Sequence, residues 1–265
     1  MASAETVRAR AYTRMYWAKE VPILRAAGLR EDMTVLELGS GDGIVTDLLL
    51  RTFPGMATTS VELRGEAVAR ARSYLKDRGH RKAQVIQADA LETGLPGGGF
   101  DFVYARLLFR YLPDPLGVLR EALRLLRPGA SLVVSDIDLG LWGFFDPPLP
   151  EVKPALEAYE RMVASRGGDA RIGRKLGTLI TKAGFLGARM DAVAATSDDL
   201  QEGMSMETFL APIGRGRLRR MAQRGWLSKD ALNVTLAGWT RFLRSDHPFA
   251  LKVMLMGHGT KSKRP

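Results

Sequence analysis

The chain has 265 residues, 46% hydrophobic and 26% charged, and a net charge of +10, so it can bury a sizeable core without staples and needs no more than one elaborated domain. It has no cysteine, which excludes disulfides, thiolate zinc sites and cysteine nucleophiles together and fits a reducing compartment. No apolar run approaches the roughly 18 residues of a membrane span, and the opening stretch MASAETVRARAYTRMYW carries charges throughout instead of a signal-peptide core, so we expect a cytoplasmic protein.

From Thr6 to Ala27, residues Val7, Tyr12, Met15, Tyr16, Trp17, Val21, Ile23 and Leu24 recur at helical intervals interrupted by Pro22, which predicts one or two amphipathic helices ahead of the main fold. MTVLELG then reads as a buried strand, and GIVTDLLLRTF as a helix closed by Pro54 and Gly55. ATTSVEL is a second strand, RGEAVARARSYLKDRG a helix, AQVIQADAL a third strand and FDFVYARLLF a fourth. LPDPLGVLREALRLLRPG is a helix stopped at Pro128 and Gly129, and ASLVVSDID a fifth strand. Beyond Asp138 the rhythm changes. LWGFFDPP reads as an aromatic, proline-rich loop, two helical stretches follow, GARMDAVAATS returns as a strand, helices run from Glu207 to Arg244, and FALKVMLMGHG closes as a strand. Short apolar runs alternating with amphipathic ones predict a doubly wound α/β architecture: a mainly parallel seven-stranded sheet with helices on both faces, N-terminal helices and a helical insertion near the C-terminus.

The stretch VLELGSGDGI, Val35 to Ile44, places three glycines between the first strand and its helix, with Glu37 just upstream. Glycine belongs where φ turns positive or the backbone must pass close to something else. A strand, a glycine turn and a helix N-terminus together make a ligand cradle of free N–H donors. The dinucleotide pattern G-x-G-x-x-G fails here, because Gly39, Gly41 and Gly43 are followed by Val45 and Thr46.

The spacing present resembles the first motif of the class I S-adenosylmethionine-dependent methyltransferases. Glu62 at the end of the second strand, Asp89-Ala90 at the end of the third, GGGFDFVYARLLFRYLPDP around the fourth, and LRLLRPGASLVVSD before the fifth follow in the family's order from Thr34 to Asp136. The subgroup it is most similar to is the bacterial small-molecule type, with its ubiquinone and natural-product enzymes. The resemblance implies a Rossmann-like fold, S-adenosylmethionine as cofactor and S-adenosylhomocysteine as product. It implies cofactor contacts from Glu37, Gly39, Ser40, Gly41, Gly43, Glu62 with Leu63, Asp89, Ala90, Arg106 and Tyr16. Physically, Glu62 lies 19 residues beyond Gly43, a separation suited to accepting hydrogen bonds from ribose hydroxyls, and Asp89 can accept from an adenine amino group. Taken singly, each acid is equally a cap or a solvated strand end, and Arg106 can pair with the cofactor carboxylate or lie along the surface.

Methyl transfer from a sulfonium needs mainly alignment and exclusion of water, with a base only where the nucleophile must shed a proton. His247 and Asp136 are the candidate bases, Asp138 flanks the same strand exit, and no metal is expected. Tyr12, Trp142, Phe144 and Phe145 are candidates for an acceptor pocket, which suggests an apolar or aromatic small molecule; core packing is the rival reading for each. Within one domain, residues 1–30 form a helical lid, 31–138 the cofactor-binding core, and 139–265 the acceptor-side helices and last two strands. Two other readings remain open. The basic stretch GRGRLRRMAQR, Gly214 to Arg224, is a solvated helix face or a surface for RNA or another anion; and the same fold serves proteins that bind the cofactor without methylating, cyclases among them.

Overall fold

The computed structural model describes residues 4–81, 83–200, 204–210 and 213–263, with side chains from residue 11 onward apart from that of residue 208. The first residues of the expected lid, and the side chain of Val7, lie outside what is described. One helix, α1 (Ala4–Ala26), replaces the interrupted pair that Pro22 suggests: the proline is carried inside it. Then follow β1 (Thr34–Leu38), α2 (Ile44–Thr52), β2 (Ala57–Glu62), α3 (Gly65–Asp77), β3 (Gln84–Gln87), β4 (Phe100–Arg106), α4 (Pro115–Leu125) and β5 (Leu126–Ile137). The start of α4 is set locally. Pro115 sits in its first turn, and the Asp114 carboxylate accepts the Gly117 N–H at 2.8 Å. Its end comes earlier than Pro128 suggests, because the residue before a proline avoids helical ψ; the chain is already extended at Leu126.

The back third adds β6 (Phe144–Asp146), α5 (Lys153–Ala164), α6 (Leu176–Lys182), β7 (Leu186–Thr196), α7 (Met206–Phe209), α8 (Arg215–Gln223), α9 (Lys229–Leu243) and β8 (Phe249–Thr260). The sheet runs in the order β3-β2-β1-β4-β5-β8-β6, with β7 on the other side of β8, eight strands in all. Its first five strands are parallel; β8 is antiparallel to β5, β6 and β7. The extra strand is β6, inside the stretch that reads as a loop. Three residues suffice because their backbone groups pair with Phe249 to Leu251 of β8.

Successive strand residues face opposite sides, and both sides are covered. Val35, Phe102, Tyr104 and Val133 point into one core with α1 and α2. Leu36, Leu38, Val103, Ala105, Leu132 and Val134 point into the other with α4 and α6. Strand order reverses between β1 and β4, and such a reversal opens a crevice at the carboxyl ends of the strands. Among the described residues no helix is long and apolar enough to cross a membrane.

Candidate active site

A cavity of about 780 Å³ occupies that crevice. One end is made by Gly39 and Gly41 after β1, Glu62 and Leu63 at the end of β2, and Asp89 and Ala90 after β3. Leu107, Leu108 and Tyr111, following β4, form the middle. The far wall comes from the end of α5 and one face of α8.

The three glycines of the turn all have positive φ, +74° at Gly39, +55° at Gly41 and +77° at Gly43, for three different ends. A Cβ on Gly39 would meet the Leu108 methyl at 3.0 Å, so this glycine admits the loop after β4. A Cβ on Gly43 would meet Ala71 at 3.2 Å, so this one lets α2 lie against α3. A Cβ on Gly41 would meet nothing within 4 Å and would stand in the space of the cavity that this glycine lines. The Gly39 and Ser40 N–H groups both donate to the Val61 carbonyl, at 2.8 and 3.1 Å, which pins the turn to β2. Gly41 N–H donates to one Glu62 oxygen at 3.0 Å; the other accepts the Arg64 backbone and side-chain N–H groups, each at 3.1 Å.

The structure brings together on the cavity wall Gly39, Gly41, Glu62, Leu63, Asp89 and Ala90 of the residues that the sequence singles out. It does not bring Glu37, Ser40, Gly43, Arg106 or Tyr16 there. Glu37 is buried behind the turn, accepting from Thr46 Oγ1 at 2.5 Å and from Ser60 at 3.2 Å. Burial pushes its carboxyl up to about 7 against the pull of those two hydroxyls and Arg106. It joins β1, α2 and β2 under the cradle. Ser40 is buried, and its hydroxyl has no hydrogen-bond partner. Arg106 requires a correction: instead of facing a ligand carboxylate, its guanidinium is buried against Glu20 of α1, at 2.9 to 3.0 Å, and Tyr104 donates to the same carboxylate at 2.8 Å. Tyr16 is likewise core. It is buried with its ring 5.0 Å from that of Tyr12, and burial drives its phenol pKa upward.

The expected bases are otherwise engaged. Asp136 is fully buried and holds Arg110 through the Nη1 at 2.6 Å and the backbone N–H at 3.0 Å. Asp138 is also buried, caps the turn after β5 through the Gly140 N–H, and is paired with Arg174. His247 is exposed in the turn before β8, away from the cavity wall. The proposed acceptor aromatics gather elsewhere too, because β6 pairs with β8 and draws them to that part of the sheet. Tyr12 and Trp142 cover the buried Lys252 ammonium at 4.5 and 4.3 Å, Phe145 packs on Phe242 at 5.6 Å, and Phe144 is exposed. Burial, with Arg110 nearby, pulls the Lys252 pKa well down.

Two features of the cavity escape the sequence reading. Tyr111, in FRYLPDP, projects into it and shares a 3.1 Å hydroxyl contact with Tyr159. Tyr111 is 41% exposed; Arg110, the Tyr159 hydroxyl and Arg217 outweigh the desolvation of its buried part and bring its phenol down to about 8, while burial raises Tyr159 to about 12. That pattern fits Tyr159 as the donor of the shared hydrogen bond. The second feature is the arginine face of α8, whose spacing was visible although its position over the cavity was not.

Residues 36–134 match the family described as a methyltransferase domain. The chain is 30% identical over 120 residues to a malonyl-[acyl-carrier protein] O-methyltransferase from Paenibacillus, covering 44% of this chain and 43% of that one. It is 32% identical over 112 residues to a trans-aconitate 2-methyltransferase from Azoarcus, covering 42% of each. Each match thus spans less than half of these relatives' length. Among solved structures, a Haemonchus contortus phosphoethanolamine N-methyltransferase holding S-adenosylhomocysteine superposes with a TM-score of 0.60 at 17% identity, over 95% of this chain and 56% of that one. The chain thus shares its fold with solved methyltransferases, and residues 36–134 are similar to a methyltransferase domain.

The cradle fits S-adenosylmethionine on its own terms. Gly41 faces open space that any side chain would fill, and at this end the cavity wall presents Glu62 and Asp89 for a cationic, hydroxyl-rich ligand.

Proposed function

We propose that the chain transfers a methyl group from S-adenosylmethionine to a small or mid-sized metabolite by in-line displacement. Bound in the cradle, the cofactor supplies an electrophilic methyl with a good leaving group; alignment and dryness are the protein's share. The observation that carries this reading is one cavity with a glycine-and-carboxylate end joined to a roomy second end. In it, the Gly39–Gly41 backbone would hold the methionine portion, Glu62 would accept from the ribose hydroxyls, and Asp89 with the Ala90 N–H would meet the adenine. Leu107 and Leu108 close the space between the two ends and keep water from the reacting centre. Tyr111 stands at the junction as the single side-chain base, for acceptors that must lose a proton. A small acceptor accords with a relative named for trans-aconitate.

The test is calorimetric titration with S-adenosylhomocysteine. Losing a carboxylate that accepts from ligand hydroxyls costs about 1.5–3 kcal/mol, so Glu62→Ala should weaken binding by about 10- to 100-fold. Asp89→Ala, whose carboxylate among the described residues bonds the neighbouring Leu91 N–H at 2.9 Å, should weaken it as well without altering the unliganded melting point. Unchanged affinity in both variants, or no binding by the unaltered chain, would falsify the cofactor assignment.

A further inference from the structure

The half of the cavity that the cofactor reading leaves over is built unlike the rest. Along α8, Arg217, Arg220, Met221 and Arg224 recur at intervals of three and four, which puts them on one helical face, and all four line the cavity. Arg166, just beyond the end of α5, joins them. Met162 and Val163 supply an apolar floor beside Met221. Both carboxylates on the cavity wall, Glu62 and Asp89, come from the ends of β2 and β3, where Arg64, also on the wall, pairs with Glu62. Among the described residues Arg166, Arg217 and Arg224 form no ion pair; Arg217 instead lies over the Tyr159 ring, 5.7 Å from its centre.

Arginines on a solvated helix usually meet acids one turn away, as Arg124 meets Glu121 on α4 at 2.7 Å. In α8, RGRLRRMAQ has no acid to meet. Arg217, half-buried, and the solvent-exposed Arg224 and Arg166 instead line one cavity, where the fields of several like charges add. The low phenol pKa of Tyr111, set in part by Arg110 and Arg217, is what such a positive field produces.

Resting on the methyl-transfer reading above, we propose that the acceptor carries an oxyanion, a carboxylate or a phosphate, which Arg217 and Arg224 with Arg166 hold while its apolar body lies on Met162, Val163 and Met221. Guanidinium forks suit both headgroups, through paired N–H donors. A small anion suits this arrangement better than a polyanion chain, because Arg166, Arg217 and Arg224 line a single cavity together with the apolar Met162, Val163 and Met221. This revises the purely apolar or aromatic acceptor that the sequence suggests: the apolar part is the body, and orientation comes from the charge.

The experiment titrates three probes into the chain saturated with S-adenosylhomocysteine: phenyl phosphate, benzoate and uncharged benzamide. At least one anion should bind about tenfold or more tightly than benzamide, and whichever anion wins identifies the headgroup. Replacing Arg217 and Arg224 together by Ala should remove that preference while leaving S-adenosylhomocysteine affinity unchanged; Arg217→Lys should keep part of it. Arg219→Ala, on α8 but off the cavity wall, should leave it intact. Equal binding of anion and amide, no anion binding up to about 10 mM, or a preference that survives the double substitution overturns the proposal. So does tight binding of a single-stranded RNA that phenyl phosphate does not displace. Failure of S-adenosylhomocysteine itself to bind would strike the cofactor reading instead, and is measured separately.

Discussion

Three glycines in one turn look alike in sequence and differ in what they allow. Gly39 makes room for Leu108 and Gly43 for Ala71, while Gly41 borders the open space of the cavity. Only neighbours distant in sequence separate these roles. Tyr111 makes the same point for titration. Its environment, not its type, brings the phenol down to about 8, within reach of physiological pH. With an acceptor that must lose a proton, turnover should rise with pH to a plateau above about 8, since the phenolate is the working form. Tyr111→Phe should lower the plateau by about 100-fold and flatten the profile. Removing Arg217's charge should move the midpoint upward, because that charge favours the phenolate. A profile unchanged in Tyr111→Phe would take the residue out of the chemistry.

At the scale of elements, α1 is docked by its core side rather than laid over a ligand. Tyr16 and Leu24 are buried, Trp17 donates to Thr52 on α2 at 2.8 Å, and Glu20 meets Arg106 of β4 with both side chains shielded from water. Breaking a buried pair from one side strands a charge, which costs about 3–5 kcal/mol. Urea unfolding of Glu20→Gln should show a loss of that order, and Glu20→Gln combined with Arg106→Gln should recover most of it. A single variant within about 0.5 kcal/mol of the parent chain would show that the pair does not anchor the helix. The element boundaries were legible where a local signal existed, as at Asp114-Pro115 and at the glycine turn. The strand β6 was not, because three residues carry no period of their own and acquire strand geometry only by pairing with β8.

Across the whole molecule, the proposed cofactor cradle is assembled from the ends of three neighbouring strands, so occupying it should hold those strand ends together. A ligand that binds only the folded chain adds about 2.7 kcal/mol at a hundredfold excess over its Kd. For a chain of this size that should raise the melting temperature by roughly 5–10 °C with S-adenosylhomocysteine. Glu62→Ala at the same concentration should shift little. A melting point indifferent to ligand in the parent chain would contradict a preformed site.

What the sequence by itself determined is the alternating strand and helix order from Thr34 to Ile137, the glycine turn, and the carboxylates that follow the second and third strands. These signals are local: hydrophobic period, turn chemistry and spacing along one chain. Tertiary structure alone decided which polar residues were spent on holding the fold. Arg106 went to Glu20, Asp136 to Arg110 and Asp138 to Arg174, while Arg217 and Arg224 of α8 line the cavity and form no ion pair among the described residues. A buried charge takes the nearest opposite charge because an unpaired one is too costly, and which charge is nearest depends on how helices far apart in sequence pack on the sheet.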